Sequence, residues 1–168
     1  SADYPHKNLD TIPTVAAFLR KKYPGFKFKF LVTLNETVHR QNTENIVYWG
    51  PVPVEQCPDL YLQSDAMYLP TLLECFSASY VEAMYMRVPI LTSDLSFARS
   101  ICGEAAVYFD PLSTESIADA IYNLAMDRNM QKLLAEKGRA QLKQFGSSGD
   151  RYERFVKLFV DLQGLSRT

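Results

Sequence analysis

Ala66-Met67-Tyr68-Leu69-Pro70-Thr71-Leu72-Leu73-Glu74-Cys75-Phe76-Ser77-Ala78-Ser79-Tyr80-Val81-Glu82-Ala83-Met84-Tyr85-Met86-Arg87-Val88-Pro89-Ile90-Leu91-Thr92 is the stretch whose reading decides the fold. Ala66 to Leu69 is apolar without alternation, the pattern of a strand covered on both faces. A loop runs through Glu74, a helix follows from about Ser77 to Met86, and Pro89 to Thr92 is a second short apolar strand. Two such strands with a helix between them make a parallel pair, because a crossover helix returns the chain to the same end of the sheet.

The same alternation continues outward. Downstream, Ser96 to Ile101 reads as a short helix and Ala106 to Phe109 as a strand. Three helical patterns then follow, marked by Ile117, Ile121 and Leu124, by Met130, Leu133 and Leu134, and by Tyr152, Phe155, Val156, Phe159 and Val160. Upstream, Asn8 reads as a helix cap before Ile12, Val15, Ala16, Leu19 and Tyr23, with Pro13 tolerated in the first turn and Pro24-Gly25 as the stop. Phe26 to Thr33 and Ile46 to Trp49 read as strands joined by a polar connection, and Val54 to Gln63 as a short helix. The fold expected is a doubly wound, Rossmann-like α/β domain, a parallel sheet with helices on both faces, over residues 1–168. A doubly wound sheet opens with its central strand, yet here the first helix starts almost at once. Either Ser1 to Tyr4 is the frayed end of that strand or the chain is a fragment of something longer, and a fragment is the expectation.

Composition narrows the function classes. The 168 residues are 47% hydrophobic and 22% charged, as in an ordinary globular domain. A chain of this size buries roughly 70% of its unfolded surface and needs no disulfide or metal staple. With 18 basic against 19 acidic residues, no global attraction to nucleic acid or to an anionic membrane is built in. No apolar run approaches the roughly 20 residues that cross a bilayer, and no signal peptide opens the sequence. Cys57, Cys75 and Cys102 are odd in number and widely spaced, which reads as buried free thiols in the cytoplasm.

Ligands of open α/β sheets bind beyond the carboxyl ends of the strands, where Glu74 and the start of the next helix lie. Glu82 falls on the Ser79 face of that helix, and its carboxylate could accept two hydrogen bonds from a vicinal diol such as a ribose. Free N–H groups near Ser77, Ala78 and Ser79 suit a pyrophosphate. Taken alone, two glutamates read more readily as a solvated loop residue and a surface helix residue than as a ligand site.

The ordered set reads further. Leu69-Pro70-Thr71, Glu74-Cys75-Phe76-Ser77, Glu82-Ala83-Met84, Val88-Pro89-Ile90 and Ser93-Asp94 resemble the nucleotide-sugar-binding half of the group 1 (family 4) retaining glycosyltransferases of GT-B fold. Their two signature glutamates are separated by seven intervening residues, as Glu74 and Glu82 are. Cys102-Gly103-Glu104-Ala105-Ala106, Phe109-Asp110-Pro111 and Pro5-His6-Lys7-Asn8 extend the likeness along essentially the whole chain. The resemblance implies that Glu74 contacts hydroxyls of the transferred sugar, Glu82 the ribose, and Lys7 the donor diphosphate. It also implies that Gly50-Pro51-Val52 holds the base, and Phe76 is counted with the donor-binding residues. The donor is then a nucleoside-diphosphate sugar, with no cofactor and no metal, since no Asp-x-Asp motif occurs. The remaining partner is an N-terminal domain absent here, through which the enzyme could touch the inner face of a membrane peripherally. One such half is expected to bind donor without catalysing transfer.

Three positions depart from the family's usual text. Cys75-Phe76-Ser77 stands where Gly-Phe-Gly is common, so backbone freedom is lost where phosphate approaches. Arg87 replaces the glycine before Pro89, so the helix is expected to end without a left-handed cap. Arg99 takes an acidic position with no legible role. His6 and His39 join no Ser/His/Asp set or metal cluster. Arg20, Lys21, Lys22, Lys27 and Lys29 read as a solvated helix end and strand edge. A sugar-nucleotide epimerase of similar architecture and a non-enzymatic α/β interaction domain are the alternatives; base, sugar and acceptor stay open.

Overall fold

In the computed structural model the described residues are 4–146, with Gly149 and Lys157 beyond them. Along them run α1 Ile12–Lys22, β1 Phe30–Val32, β2 Ile46–Tyr48, α2 Cys57–Leu62, β3 Met67–Leu69, α3 Ala78–Tyr85, β4 Ile90–Ser93, α4 Ser96–Cys102, β5 Ala106–Phe109, α5 Thr114–Met126 and α6 Arg128–Gln141. Short 3-10 turns precede α1 at Pro5–Lys7 and Leu9–Thr11, and another at Val54–Gln56 leads into α2. The helical pattern from Tyr152 to Val160 lies outside the described residues, as do Ser1 to Asp3.

Every strand pair is parallel. Phe30 stands opposite Ile46, Met67 opposite Ile90, and Ile90 opposite Ala106. Successive side chains of a strand point to opposite faces, and β3 and β4 use both. Met67, Leu69 and Ile90 pack under α3 and α4 with Tyr80, Ala83, Met84, Ile101 and Cys102. Tyr68 and Leu91 pack on the other side with Phe109, Ile117 and Leu124, under α1 and α5. Helices therefore cover both faces, which is why these strands show no alternation.

The strands form two pieces, β1–β2 and β3–β4–β5, and among the described residues no ladder joins β1 to β3. Side chains bridge the seam. The Phe30 and Tyr68 rings lie 5.6 Å apart, and α1 spans both pieces. Its Ile12 and Ala16 pack with Val32, Leu34, Ile46 and Tyr48. One ridge over, Val15 and Leu19 pack with Leu91, Phe109 and Ile117. Residues four apart share a helix face, so α1 offers adjacent ridges to the two pieces. A fully buried leucine such as Leu19 contributes about 1.5–3 kcal/mol.

Several elements differ from the sequence reading. Asn8 does not cap α1; it takes a left-handed conformation (φ 56°) between two 3-10 turns, and the Thr11 hydroxyl donates to its carbonyl at 2.7 Å. The short polar side chain that suits asparagine to a cap also lets it visit this region. Only Phe30 to Val32 of the predicted first strand joins the ladder; Phe26 and Phe28 instead stack in a run of rings toward Phe30. Only Cys102 of the three thiols is buried, whereas Cys57 is half-buried and Cys75 exposed. Lys22 is not simply solvated, since its amine lies 2.7 Å from Glu115 and 2.8 Å from Asp119, tying α1 to α5. No helix among the described residues is long and apolar enough to cross a membrane.

Candidate functional site

The carboxyl end of β3 turns into the loop carrying Glu74. Thr71 anchors that loop: fully buried, its hydroxyl donates toward the carbonyls of His6 and Leu73, each at 3.1 Å. The Leu72 N–H reaches the same His6 carbonyl at 2.7 Å. The 3-10 turn Pro5–Lys7 is thereby strapped to the loop, and Lys7 Nζ forms a direct ion pair with Glu74 Oε1. Their side chains are 16% and 12% exposed, so the contact is partly withdrawn from water. In such surroundings breaking a pair by removing one partner is destabilising, because the other is left unpaired. Asn8 completes the strap by donating from Nδ2 to the Pro111 carbonyl at 3.1 Å, across to the end of β5.

Ser77 stands at the start of α3 with extended backbone (φ −106°, ψ 119°) and makes no side-chain cap bond. The N–H groups of Ala78 and Ser79 meet no acceptor among the described residues, as expected of an uncapped helix start. Neither Cys75 nor Ser77 has a positive φ. The expected loss of freedom from the two missing glycines therefore brings no backbone strain. Below α3, the Tyr80 hydroxyl hydrogen-bonds Thr92 Oγ1 at 2.7 Å, and Thr92 donates to the Leu69 carbonyl at 3.0 Å. Burial pushes the Tyr80 phenol up to about 12, so it stays protonated. This buried chain fixes α3 on β3 and β4. Close packing by α6 does the same from behind, where a Cβ on Gly138 would stand 3.3 Å from Met84 Cγ.

At its other end α3 stops on Arg87, which itself adopts the left-handed conformation (φ 59°). Its N–H and that of Val88 return to the carbonyls of Met84 at 3.2 Å and Ala83 at 2.9 Å. The helix therefore has the cap expected to be missing, made without glycine. Arg99 also gains a role. Its guanidinium grips Asp94, through Nε to Oδ1 and through Nη2 to Oδ2 at 2.8 Å, and lies 4.4 Å over the Tyr108 ring. The loop after β4 is thus pinned to α4 and β5, and the Arg99 hydrogen bond holds the Asp94 carboxyl below the usual carboxylate range.

Glu82 is exposed on α3, and Tyr61 of α2 donates its hydroxyl to Glu82 Oε2 at 2.9 Å. Ser79 lies beside that same hydroxyl, as the spacing of three between Ser79 and Glu82 predicts. Burial, with the Glu82 hydrogen bond second, raises the Tyr61 phenol well above its ordinary value. Gly50 follows β2 with φ 92° and donates to the Leu34 carbonyl at 2.9 Å; a Cβ there would stand 3.1 Å from Asn35 Oδ1. Pro51 is exposed and Val52 half-buried. Phe76 is half exposed, edge-on to Phe145 with ring centres 6.0 Å apart. The structure thus joins Lys7 to Glu74 and sets Ser77, Ala78, Ser79 and Glu82 on one short helix. Gly50–Val52 shares the carboxyl end of the strands but no hydrogen bond with these residues. Sequence reasoning missed Tyr61, because a tyrosine in a short helix carries no signal of a partner 21 positions away.

With this geometry in place, residues 2–141 match the family model described as Glycosyl transferases group 1. The chain belongs to the group 1 glycosyltransferases. A curated relative, the O-antigen chain mannosyltransferase B of Escherichia coli, is 31% identical over 123 residues. That alignment spans 73% of this chain but only 32% of the relative, so the chain matches about a third of that protein's length. Among solved structures, the sucrose-phosphate synthase of Thermosynechococcus elongatus superposes with a TM-score of 0.78 at 17% identity, covering 96% of this chain and 44% of that one. The C-terminal domain of a group 1 family protein (LpcC) from Francisella tularensis gives 0.69 at 18% identity, covering 84% and 80%. At these identities the likeness shows the fold, which is one half of a GT-B glycosyltransferase.

Proposed function

We propose that this group 1 domain is the donor-binding half of a retaining glycosyltransferase, moving a sugar from a nucleoside-diphosphate sugar to a hydroxyl acceptor. The Lys7–Glu74 contact beside the open N–H groups of α3 carries this reading. Donor binding exchanges that pair for phosphate oxygens on the ammonium and sugar hydroxyls on the carboxylate. As the bond from the sugar's anomeric carbon to the diphosphate breaks, the sugar becomes oxocarbenium-like and the diphosphate takes the electron pair. Lys7 and the helix N-terminus stabilise that leaving charge without a metal ion, so binding persists in excess EDTA. Glu82 holds the ribose and Gly50–Val52 the base. A second, N-terminal domain closes the cleft, positions the acceptor and makes any contact with the inner face of the membrane, which places the enzyme in the cytoplasm. The name of the Escherichia coli relative makes a nucleoside-diphosphate mannose the first donor to test.

Calorimetry with UDP, GDP and ADP, with and without EDTA, tests ligand class, base and metal dependence together. Glu82→Ala is expected to weaken the preferred nucleotide by about 1.5–3 kcal/mol, or roughly 10- to 150-fold. Unchanged affinity in a folded variant would remove Glu82 from the site.

A further inference from the structure

Glu82 sits on the exposed side of a short helix, where a glutamate with three side-chain torsions has several orientations open to it. Tyr61 is held differently. Its half-buried ring packs against the cluster of Tyr80, Ala83 and Met84, and its hydroxyl meets Glu82 Oε2 at 2.9 Å. Glu82 Oε1 accepts from no other group among the described residues, and each carboxylate oxygen offers two lone pairs. The carboxylate is therefore fixed at one oxygen by a packed aromatic ring while keeping acceptor sites free. Tyr61 also lies on α2, the helix reached directly from the Gly50–Val52 loop through Pro53 and the Val54–Gln56 turn.

Building on the ribose assignment for Glu82, we propose that Tyr61 is a positioning residue that sets the Glu82 carboxylate to receive the ribose diol of the donor. A ligand that must itself immobilise a free side chain binds more weakly by the freedom it removes. Here the Tyr61 hydroxyl removes that freedom beforehand. Because burial keeps the phenol protonated, it remains a donor over the whole working pH range.

The test compares wild type, Tyr61→Phe and Glu82→Ala by calorimetry, using whichever of UDP, GDP and ADP binds wild type most tightly and its 2′,3′-dideoxy counterpart. Tyr61→Phe keeps the packed ring and removes only the hydroxyl. It is expected to weaken the ribonucleotide about three- to tenfold and to leave the dideoxy nucleotide unchanged. Equal weakening of both nucleotides would show that Tyr61 only supports the fold and overturns the proposal. No weakening of either, alongside a clear loss in Glu82→Ala, overturns the role of Tyr61 and leaves Glu82 on the ribose. An unaltered Glu82→Ala would overturn both assignments.

Discussion

The start of α3 and the starts of α5 and α6 are built from similar residues and finished in opposite ways. Ser113 accepts from the Ser116 N–H at 3.2 Å, and Asp127 from the N–H groups of Asn129 and Met130, both at 2.9 Å. Ser77, equally suited by residue type, makes no side-chain cap bond, its carbonyl alone accepting from the Tyr80 N–H at 3.3 Å, and the Ala78 and Ser79 N–H groups stay open. The far end of α3 is closed by three returning N–H groups, from Met86, Arg87 and Val88, with Arg87 held left-handed. Such a conformation costs a non-glycine residue about 1–2 kcal/mol. The starts of α5 and α6 are closed by side chains, whereas α3 has no side-chain cap, a condition it shares with α1, α2 and α4; on the proposed reading the α3 donors serve the diphosphate.

The largest effect expected from breaking this contrast lies in front of the open end. Lys7→Ala should weaken diphosphate binding about 10- to 100-fold while barely changing nucleoside binding. Calorimetry with both ligands checks it, and Lys7→Ala/Glu74→Gln separates lost attraction from an orphaned carboxylate. Next come the closed ends: Asp127→Ala should destabilise by about 1–2 kcal/mol and Ser113→Ala by about 0.5–1 kcal/mol in urea unfolding. Smaller still, and opposite in sign, Arg87→Gly should stabilise by about 0.5–1 kcal/mol, relief of the left-handed strain being offset in part by the freer unfolded chain. At the bottom of the scale Ser77→Ala should leave the urea midpoint unmoved, because no cap bond exists to lose. A loss there as large as that of Ser113→Ala would erase the distinction between the two kinds of helix start.

The strand–loop–helix–strand unit was legible because its signals are local. Apolar runs without alternation marked β3, β4 and β5, and Ser77 to Met86 ran within a residue of α3 at each end. Glu74, Glu82 and Lys7 could be named from their order along the chain. What could not be read is who meets whom. The Lys7–Glu74 pair joins residues 67 positions apart, and its formation depends on Thr71 and Leu72 seizing the His6 carbonyl. Asn8 was misread since cap and left-handed turn favour the same side chain, and tertiary context chose between them. Arg99 had no reading until Asp94 and Tyr108 came to either side of it.

The seam between β1 and β3 bears on how the domain opens. Amide protons exchange through local unfolding whose free energy varies across a structure in cooperative units. Two pieces of sheet bridged by α1 and by aromatic rings, without a shared ladder, are suited to be two such units. The β1–β2 piece has two three-residue strands and carries the Gly50–Val52 loop, whereas the other piece carries Glu74 and α3. Native-state exchange should therefore show β1 and β2 amides released by smaller openings than those of β4. Uniform protection would instead mean that α1 welds the pieces into one unit. With separate units, the proposed base contact at Gly50–Val52 and the proposed sugar contact at Glu74 would belong to parts of one domain that breathe independently.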